Sequence, residues 1–238
     1  MNQYSEKGYG LESALELDSS QRESLIELVK RPQERQAGDL SGRAKVTFGE
    51  VRGLGRVVVK GYHRGGLLRA FLPSMFVKWG LTRAETESEM LLYIAERGLT
   101  VPKPLATVSK GWFLYRAWLV LEEVEGHLTL AEVSRQNPDL LDELVPELAR
   151  MVRELIQLRI CHVDLHPGNV LVDDQKRVWM IDFDKAFFFK GNLETLQEQY
   201  LRRWRRAVIK HSLPDALSEL FCGGVLRNLR ILREREEE

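Results

Sequence analysis

The chain has 238 residues, 44% hydrophobic and 29% charged, which excludes a fibrous, collagen-like or largely disordered protein and suits one compact domain or two small lobes. Lys plus Arg and Asp plus Glu each total 35, so the formal net charge is zero and no global attraction to nucleic acid follows. Two cysteines without metal-type spacing, no export pattern in MNQYSEKGYG and an apolar stretch, WFLYRAWLVL, broken by Arg116 point to a reducing compartment, with neither export nor membrane spanning expected.

Charge is sorted along the chain. Ser41 to Arg83 holds nine basic residues against the single acid Glu50, and Leu121 to Glu154 holds nine acids against three bases. Residues 1–37 are polar, with one helix candidate. Ser20 and Glu23 have capping-box spacing ahead of Leu25, Ile26, Leu28 and Val29, and the segment reads as an appendage. From Gly38 to Lys60 glycines alternate with β-branched runs, predicting three short antiparallel strands, the last ending in Lys60. Thr82 and Glu85 form another capping box, before a helix striped by Met90, Leu91 and Ile94 and closed at Gly98. VPKPLATV and WFLYRAWLVLEEV predict two more strands, the second running into an acidic linker that ends at Gly126.

Downstream the period becomes helical. Asn137 and Pro138 suit a cap and a first position, and Leu140, Leu141, Leu144, Leu148, Met151, Val152, Leu155 and Ile156 supply an apolar face interrupted by Pro146. CHVDLHPGN breaks that helix, VLVDDQKRVWMID predicts a tight hairpin, and a last helical stretch runs from Leu193 to His211. A β-rich lobe of residues 38–125 followed by a mostly helical lobe of residues 126–238 predicts an α+β fold.

The chemistry concentrates in HVDLHPGNVL and WMIDFD. Phosphoryl transfer needs a carboxylate beside the attacking hydroxyl and oxygen ligands for magnesium, because the protein mainly positions groups and neutralises charge on phosphate oxygens. Asp164 and Asn169, five residues apart across a Pro-Gly turn, can serve nucleophile and metal, and Asp182 arrives on the returning hairpin strand as a second ligand. Singly, Asp164 and Asn169 also fit ordinary turn positions and His162 an ordinary core histidine. Jointly, D-x4-N, a short hairpin and an apolar strand ending in Asp-Phe make a kinase-like site.

These motifs resemble the protein-kinase-like superfamily. With VVVKGYHRGGLL, TRAETESEMLLYIAERGLTVPKPLA, IDFDKA and the basic helix after Asn192 and Leu193, the chain resembles the lipopolysaccharide kinase branch, specifically the 3-deoxy-D-manno-octulosonic acid (Kdo) kinases, over roughly residues 38–212. The resemblance implies a bilobal protein-kinase-like fold with a small antiparallel N-lobe and a short helical C-lobe. It implies Asp164 as catalytic aspartate, His162 as buttress of the catalytic loop, Asn169 and Asp182 as magnesium ligands, and Lys60 as the cation on the α and β phosphates of ATP.

Lys60 then needs an anionic partner on the following helix. Glu85 is used by the cap and Glu89 is turned about 200° from the apolar stripe, whereas Glu87 precedes Met90, Leu91 and Ile94 by three, four and seven residues and shares their face. Glu87 is therefore the expected partner. AGDLSGR, with Gly38 and Gly42, can cover the phosphates, and GEVRGLG competes with it. Glu122 to Val124 falls where backbone groups would meet adenine, and Asp184 stands where protein kinases have glycine, its role left open.

Only 54 residues follow Asp184 and no A-P-E occurs among them, which disfavours a peptide acceptor. The resemblance implies the 4-hydroxyl of Kdo in the lipid A inner core, at the cytoplasmic face of a Gram-negative inner membrane. The alternatives are a soluble aminoglycoside- or homoserine-type kinase, which shares HPGN, a heptose kinase, and a nucleotide-binding pseudokinase. Arg202, Arg203, Arg206 and Lys210, opposite Leu196, Tyr200, Trp204 and Val208, offer either an anion-binding face or a solvated one. LLRAFLPSMFVKWGLTR mixes aromatic and basic residues as an interfacial anchor does, and fits equally an ordinary connection.

Overall fold

The computed structural model describes residues 1–32, 34–35, 45–62, 76–77, 80–112 and 114–236. They divide into two compact units, Met1–Arg97 with Pro102–Glu123, and Gly98–Val101 with Val124–Glu238.

The first unit is built on an antiparallel sheet. Its elements are β1 (Asn2–Glu6), β2 (Tyr9–Ser13), α1 (Ser19–Lys30), β3 (Glu34–Arg35), β4 (Lys45–Val51), β5 (Gly55–Gly61), β6 (Phe76–Val77), α2 (Arg83–Ala95), β7 (Pro104–Lys110) and β8 (Leu114–Glu122). The strand order is β1-β2-β7-β8-β5-β4-β3, with β6 pairing the start of β8. Alternation along β5 separates two jobs. Val57 and Val59 join the apolar cluster under α1, while Lys60 projects to the opposite face, where α2 supplies its partner. Gly49 lets α1 lie close on β4, since a Cβ there would collide with the Leu28 side chain.

The described part of the expected appendage, residues 1–32 with 34–35, is built into the sheet. β2 pairs with β7, placing Leu11 opposite Val108, and Tyr9 and Leu11 share one buried cluster with Leu25, Ile26, Leu28 and Val29 of α1. Burying those four α1 side chains is worth roughly 6–12 kcal/mol as an upper bound, so the segment is part of the sheet's core. The α1 cap is Asp18 rather than Ser20. Asp18 Oδ1 accepts the Gln21 N–H at 2.8 Å and Gln21 Oε1 accepts the Asp18 N–H at 3.0 Å, a reciprocal box two residues upstream of the expected one.

The second unit comprises β9 (Leu128–Thr129), α3 (Leu130–Gln136), α4 (Leu141–Gln157), β10 (Ile160–Cys161), β11 (Val170–Val172), β12 (Val178–Met180), β13 (Phe187–Phe188), α5 (Leu193–Lys210) and α6 (Ala216–Glu236). Asn137 and Pro138 open a 3-10 turn, Pro138–Leu140, with no side-chain cap bond, and α4 begins only after it. The core forms where α4 buries Leu144, Leu148, Met151, Val152 and Leu155, and where Trp204 of α5 stacks on Phe221 of α6 at 4.2 Å between centroids. β11 pairs with β12 and β9, and β10 pairs with β13, so two small ribbons frame the HVDLHPGN segment.

Candidate active site

In the first unit, Lys60 at the end of β5 meets Glu87 in the second turn of α2. Its Nζ lies 2.8 and 2.9 Å from the two Glu87 carboxylate oxygens. The Glu87 side chain is 1% exposed and that of Lys60 17% exposed. Tyr62, two residues on and so on the same strand face, donates its hydroxyl to Glu87 Oε2. The phase of α2 is set at its start, where Thr82 N–H donates to Glu85 Oε2 at 2.7 Å and Glu85 N–H donates to Thr82 Oγ1 at 3.3 Å. Glu85 is thus consumed by the cap and Glu87 carries the charge to Lys60.

In the second unit, four residues close a ring of hydrogen bonds. His162 Nε2–H donates to the Ile181 carbonyl at 2.9 Å, and Ile181 N–H donates to the Asn169 carbonyl at 3.1 Å. Asn169 Nδ2 donates to the Asp164 carbonyl at 2.8 Å, and Asp164 N–H returns to His162 Nδ1 at 3.3 Å. The two His162 contacts require the neutral Nε2–H tautomer. Burial drives the same way, lowering the His162 pKa against the raising effects of the Ile181 carbonyl and of Asp182 and Asp164. The Asn169 amide nitrogen is tethered by its bond to the Asp164 carbonyl, and the Asp164 side chain is exposed to solvent.

Asp182, next after the ring's Ile181, has φ of +65°, a left-handed conformation that a non-glycine residue adopts only when its surroundings hold it there. Phe183 behind it is 1% exposed and packs its ring 4.4 Å from that of His162. The turn leading to Asn169 is fixed by His166, whose Nδ1 accepts the Gly168 N–H at 3.1 Å. The hairpin delivering Asp182 is pinned by Asp173. Its carboxylate accepts Arg177 N–H at 2.8 Å, Arg177 Nε–H at 2.7 Å and Trp179 Nε1–H at 3.0 Å. Burial pushes the Asp173 pKa up, and these donors outweigh it to leave a lowered value.

Two residues that position the segment were hidden in the sequence. Tyr200 stands on the apolar stripe of α5, but its hydroxyl donates to the Ile160 carbonyl at 2.9 Å and accepts the His162 N–H at 2.8 Å. Burial raises its pKa far above the usual phenol range, so the hydroxyl stays protonated. A phenol on an otherwise apolar stripe was the available signal. Arg203, grouped by sequence with Arg202, Arg206 and Lys210 on the polar side of α5, turns inward, its Nη1 lying 3.3 Å from Cys161 Sγ and 3.5 Å from the His162 carbonyl. Arg202, Arg206 and Lys210 are exposed, whereas Leu196, Tyr200, Trp204 and Val208 are buried.

The remaining expected residues place as follows. Gly38 and Gly42 lie outside the described residues, as does most of LLRAFLPSMFVKWGLTR. GEVRGLG is the end of β4, its turn and the start of β5. Glu122 closes β8 opposite Val57, its N–H donating to the Lys103 carbonyl at 2.9 Å. Val124 opens the second unit, buried at 8% exposure, with its carbonyl against His127 Nδ1. Asp184 is half-buried. Among the described residues no three His, Cys, Asp or Glu side chains cluster as a metal cage, and no helix is long and apolar enough to cross a membrane.

Comparison with known proteins identifies the family. The family model described as Lipopolysaccharide kinase (Kdo/WaaP) family matches residues 27–221. A 3-deoxy-D-manno-octulosonic acid kinase of Vibrio cholerae is 31% identical over 185 residues, covering 74% of this chain and 78% of its own. A protein of the same name from Photobacterium damsela is 31% identical over 73% of this chain and 72% of its own. Another from Actinobacillus succinogenes is 32% identical over 78% of this chain and 83% of its own. The chain belongs to the lipopolysaccharide kinase (Kdo/WaaP) family, an ATP-dependent kinase of α+β, kinase-like fold.

Proposed function

We propose that this kinase transfers the γ-phosphate of ATP to the 4-hydroxyl of Kdo in the lipid A inner core. The observation that carries the reading is the closed ring joining His162, Ile181, Asn169 and Asp164, because it holds a solvent-facing carboxylate and a ligand-bearing strand in one rigid frame. Asp164 accepts the proton of the acceptor hydroxyl as its oxygen bonds to the γ-phosphorus, the bond to the β-phosphate oxygen breaks, and ADP leaves. His162, neutral and buried, orients Asp164 through the backbone. Lys60, steadied by Glu87, holds the α and β phosphates, and backbone groups at Glu122 and Val124 meet the adenine.

Magnesium fits the donor set, since the Asn169 amide oxygen and the Asp182 carboxylate are hard oxygen donors that would hold it. When bound, the ion offsets the charge spread over the phosphate oxygens. The acceptor class rests on the relatives, which are named as Kdo kinases. The exposed Arg202, Arg206 and Lys210 suit the phosphates and carboxylates of such a lipid and support peripheral contact with an anionic cytoplasmic membrane face.

Incubation with labelled ATP, magnesium and Kdo-lipid A, followed by mass spectrometry of the product, tests the proposal. Phosphate at the Kdo 4-position is expected. Label on an added aminoglycoside or on heptose instead overturns the acceptor, and no transfer to any of them favours a pseudokinase. Liposome sedimentation with and without anionic lipid tests the membrane contact, and equal recovery in the supernatant removes it.

A further inference from the structure

We infer that Tyr62 is a positioning residue for Lys60, acting through Glu87. The inference rests on reading Lys60 as the cation that holds the nucleotide phosphates. Lys60 and Tyr62 stand two residues apart at the end of β5, so the strand's alternation sends both side chains to the face that α2 covers. Glu87 is where they converge. Its two oxygens lie 2.8 and 2.9 Å from Lys60 Nζ, and Oε2 also accepts the Tyr62 hydroxyl. A carboxylate bound to one flexible ammonium can swing with it, whereas a second donor from a rigid ring fixes its plane and so the place of the ammonium.

The ring is well held. Tyr62 N–H donates to the Ala117 carbonyl at 3.3 Å, extending the β5–β8 ladder, and the residue is 4% exposed. Lys60 Nζ lies 5.5 Å and Arg83 Cζ 5.3 Å from its centroid, so two cations lean on one ring. Glu87 is only 1% exposed, so the phenol hydroxyl meets its carboxylate away from bulk water. An arrangement that merely satisfied a buried phenol would contribute to folding and leave nucleotide handling untouched.

The test compares full-length parent, Tyr62→Phe, Glu87→Gln, the double variant and Lys60→Met. The readouts are kcat/KM for ATP, KM for Kdo-lipid A and the thermal midpoint. Tyr62→Phe keeps the ring and its cations and removes only the donor. A fall in kcat/KM for ATP of about tenfold or more is expected, with KM for the acceptor unchanged. In the Glu87→Gln background the same substitution should change kcat/KM by less than about twofold, because the relay is already broken.

Parental kcat/KM in Tyr62→Phe, or a full multiplicative loss in the double variant, overturns the inference. If Lys60→Met keeps parental kcat/KM, or the parent transfers nothing from ATP, the reading of Lys60 itself falls and takes the inference with it. Collapse of Lys60→Met beside a parental Tyr62→Phe removes the inference alone.

Discussion

His162 makes stability depend on pH in a direction set by its hydrogen bonds. Its Nε2–H donates to Ile181 at 2.9 Å and its Nδ1 accepts from Asp164 at 3.3 Å, so a second proton must take the lone pair that holds Asp164. The ring is 0% exposed, and burial lowers its pKa. The unfolded chain protonates a histidine near pH 6.5. Below that pH the unfolded state therefore binds more protons than the folded one, and stability falls as pH falls, at about 1.4 kcal/mol per unit while the ring stays neutral. The contribution is complete above the unfolded value and is lost on the acid side. Between pH 7.5 and 5.5 the loss is on the order of 1 kcal/mol for a ring that stays neutral throughout, or a few degrees in Tm for a chain of this size. His162→Gln keeps a donor for Ile181 and cannot titrate. His211, lowered by burial and by Lys210 and Arg135, is common to both proteins and cancels. Unfolding of parent and variant in magnesium-free buffer at pH 5.5, 6.5 and 7.5 should show the parent's advantage shrinking by this amount on acidification. Parallel curves, or an advantage that grows, refute the reasoning.

Two further substitutions separate stability from chemistry. Asn192 Oδ1 accepts the Thr195 N–H at 2.8 Å and caps α5, so Asn192→Ala should cost about 1 kcal/mol and about 2–4 °C in Tm with little change in kcat; an unchanged Tm contradicts the cap. Asp182 sits at φ +65°, which glycine adopts freely, so Asp182→Gly should leave Tm equal or raised by up to about 1 kcal/mol equivalent while phosphate transfer falls at least about a hundredfold. Retained transfer in that variant removes the magnesium role from Asp182.

The parts of this molecule that could be read in advance were those governed by local rules. The Thr82–Glu85 box fixes the phase of α2, and phase alone singles out Glu87, now seen on Lys60. Asn192 opens α5 at Leu193, and the hairpin of β11 and β12 falls within VLVDDQKRVWMID. The expected capping boxes were only partly complete. Asp18 outranked Ser20 for α1, and Thr129–Glu132, an equally plain box, caps α3 without having been noticed. β1 and β2 escaped because NQYSE is polar throughout, and only pairing across more than ninety residues with β7 shows that Tyr9 and Leu11 point inward.

α6 was missed for a different reason. Gly223 and Gly224 depress helix propensity, yet Gly224 is where α6 presses on α4. A Cβ there would lie 2.6 Å from that of Ala149, and the Gly224 carbonyl accepts Arg153 Nη1–H at 2.6 Å. Tertiary contact overrides the local penalty. The ring through His162, Ile181, Asn169 and Asp164 was legible as a set of residue types, but not as a hydrogen-bond circuit, because seven of its eight donor and acceptor groups are backbone groups or depend on a tautomer.

The most direct trial of the account replaces Asp164, whose carboxylate it assigns to the acceptor's proton. In Asp164→Ala, with ATP, magnesium and Kdo-lipid A, the transfer rate should fall by about 10²–10⁴-fold, while ATP affinity stays within about twofold of the parent. Transfer at the parental rate would contradict the account.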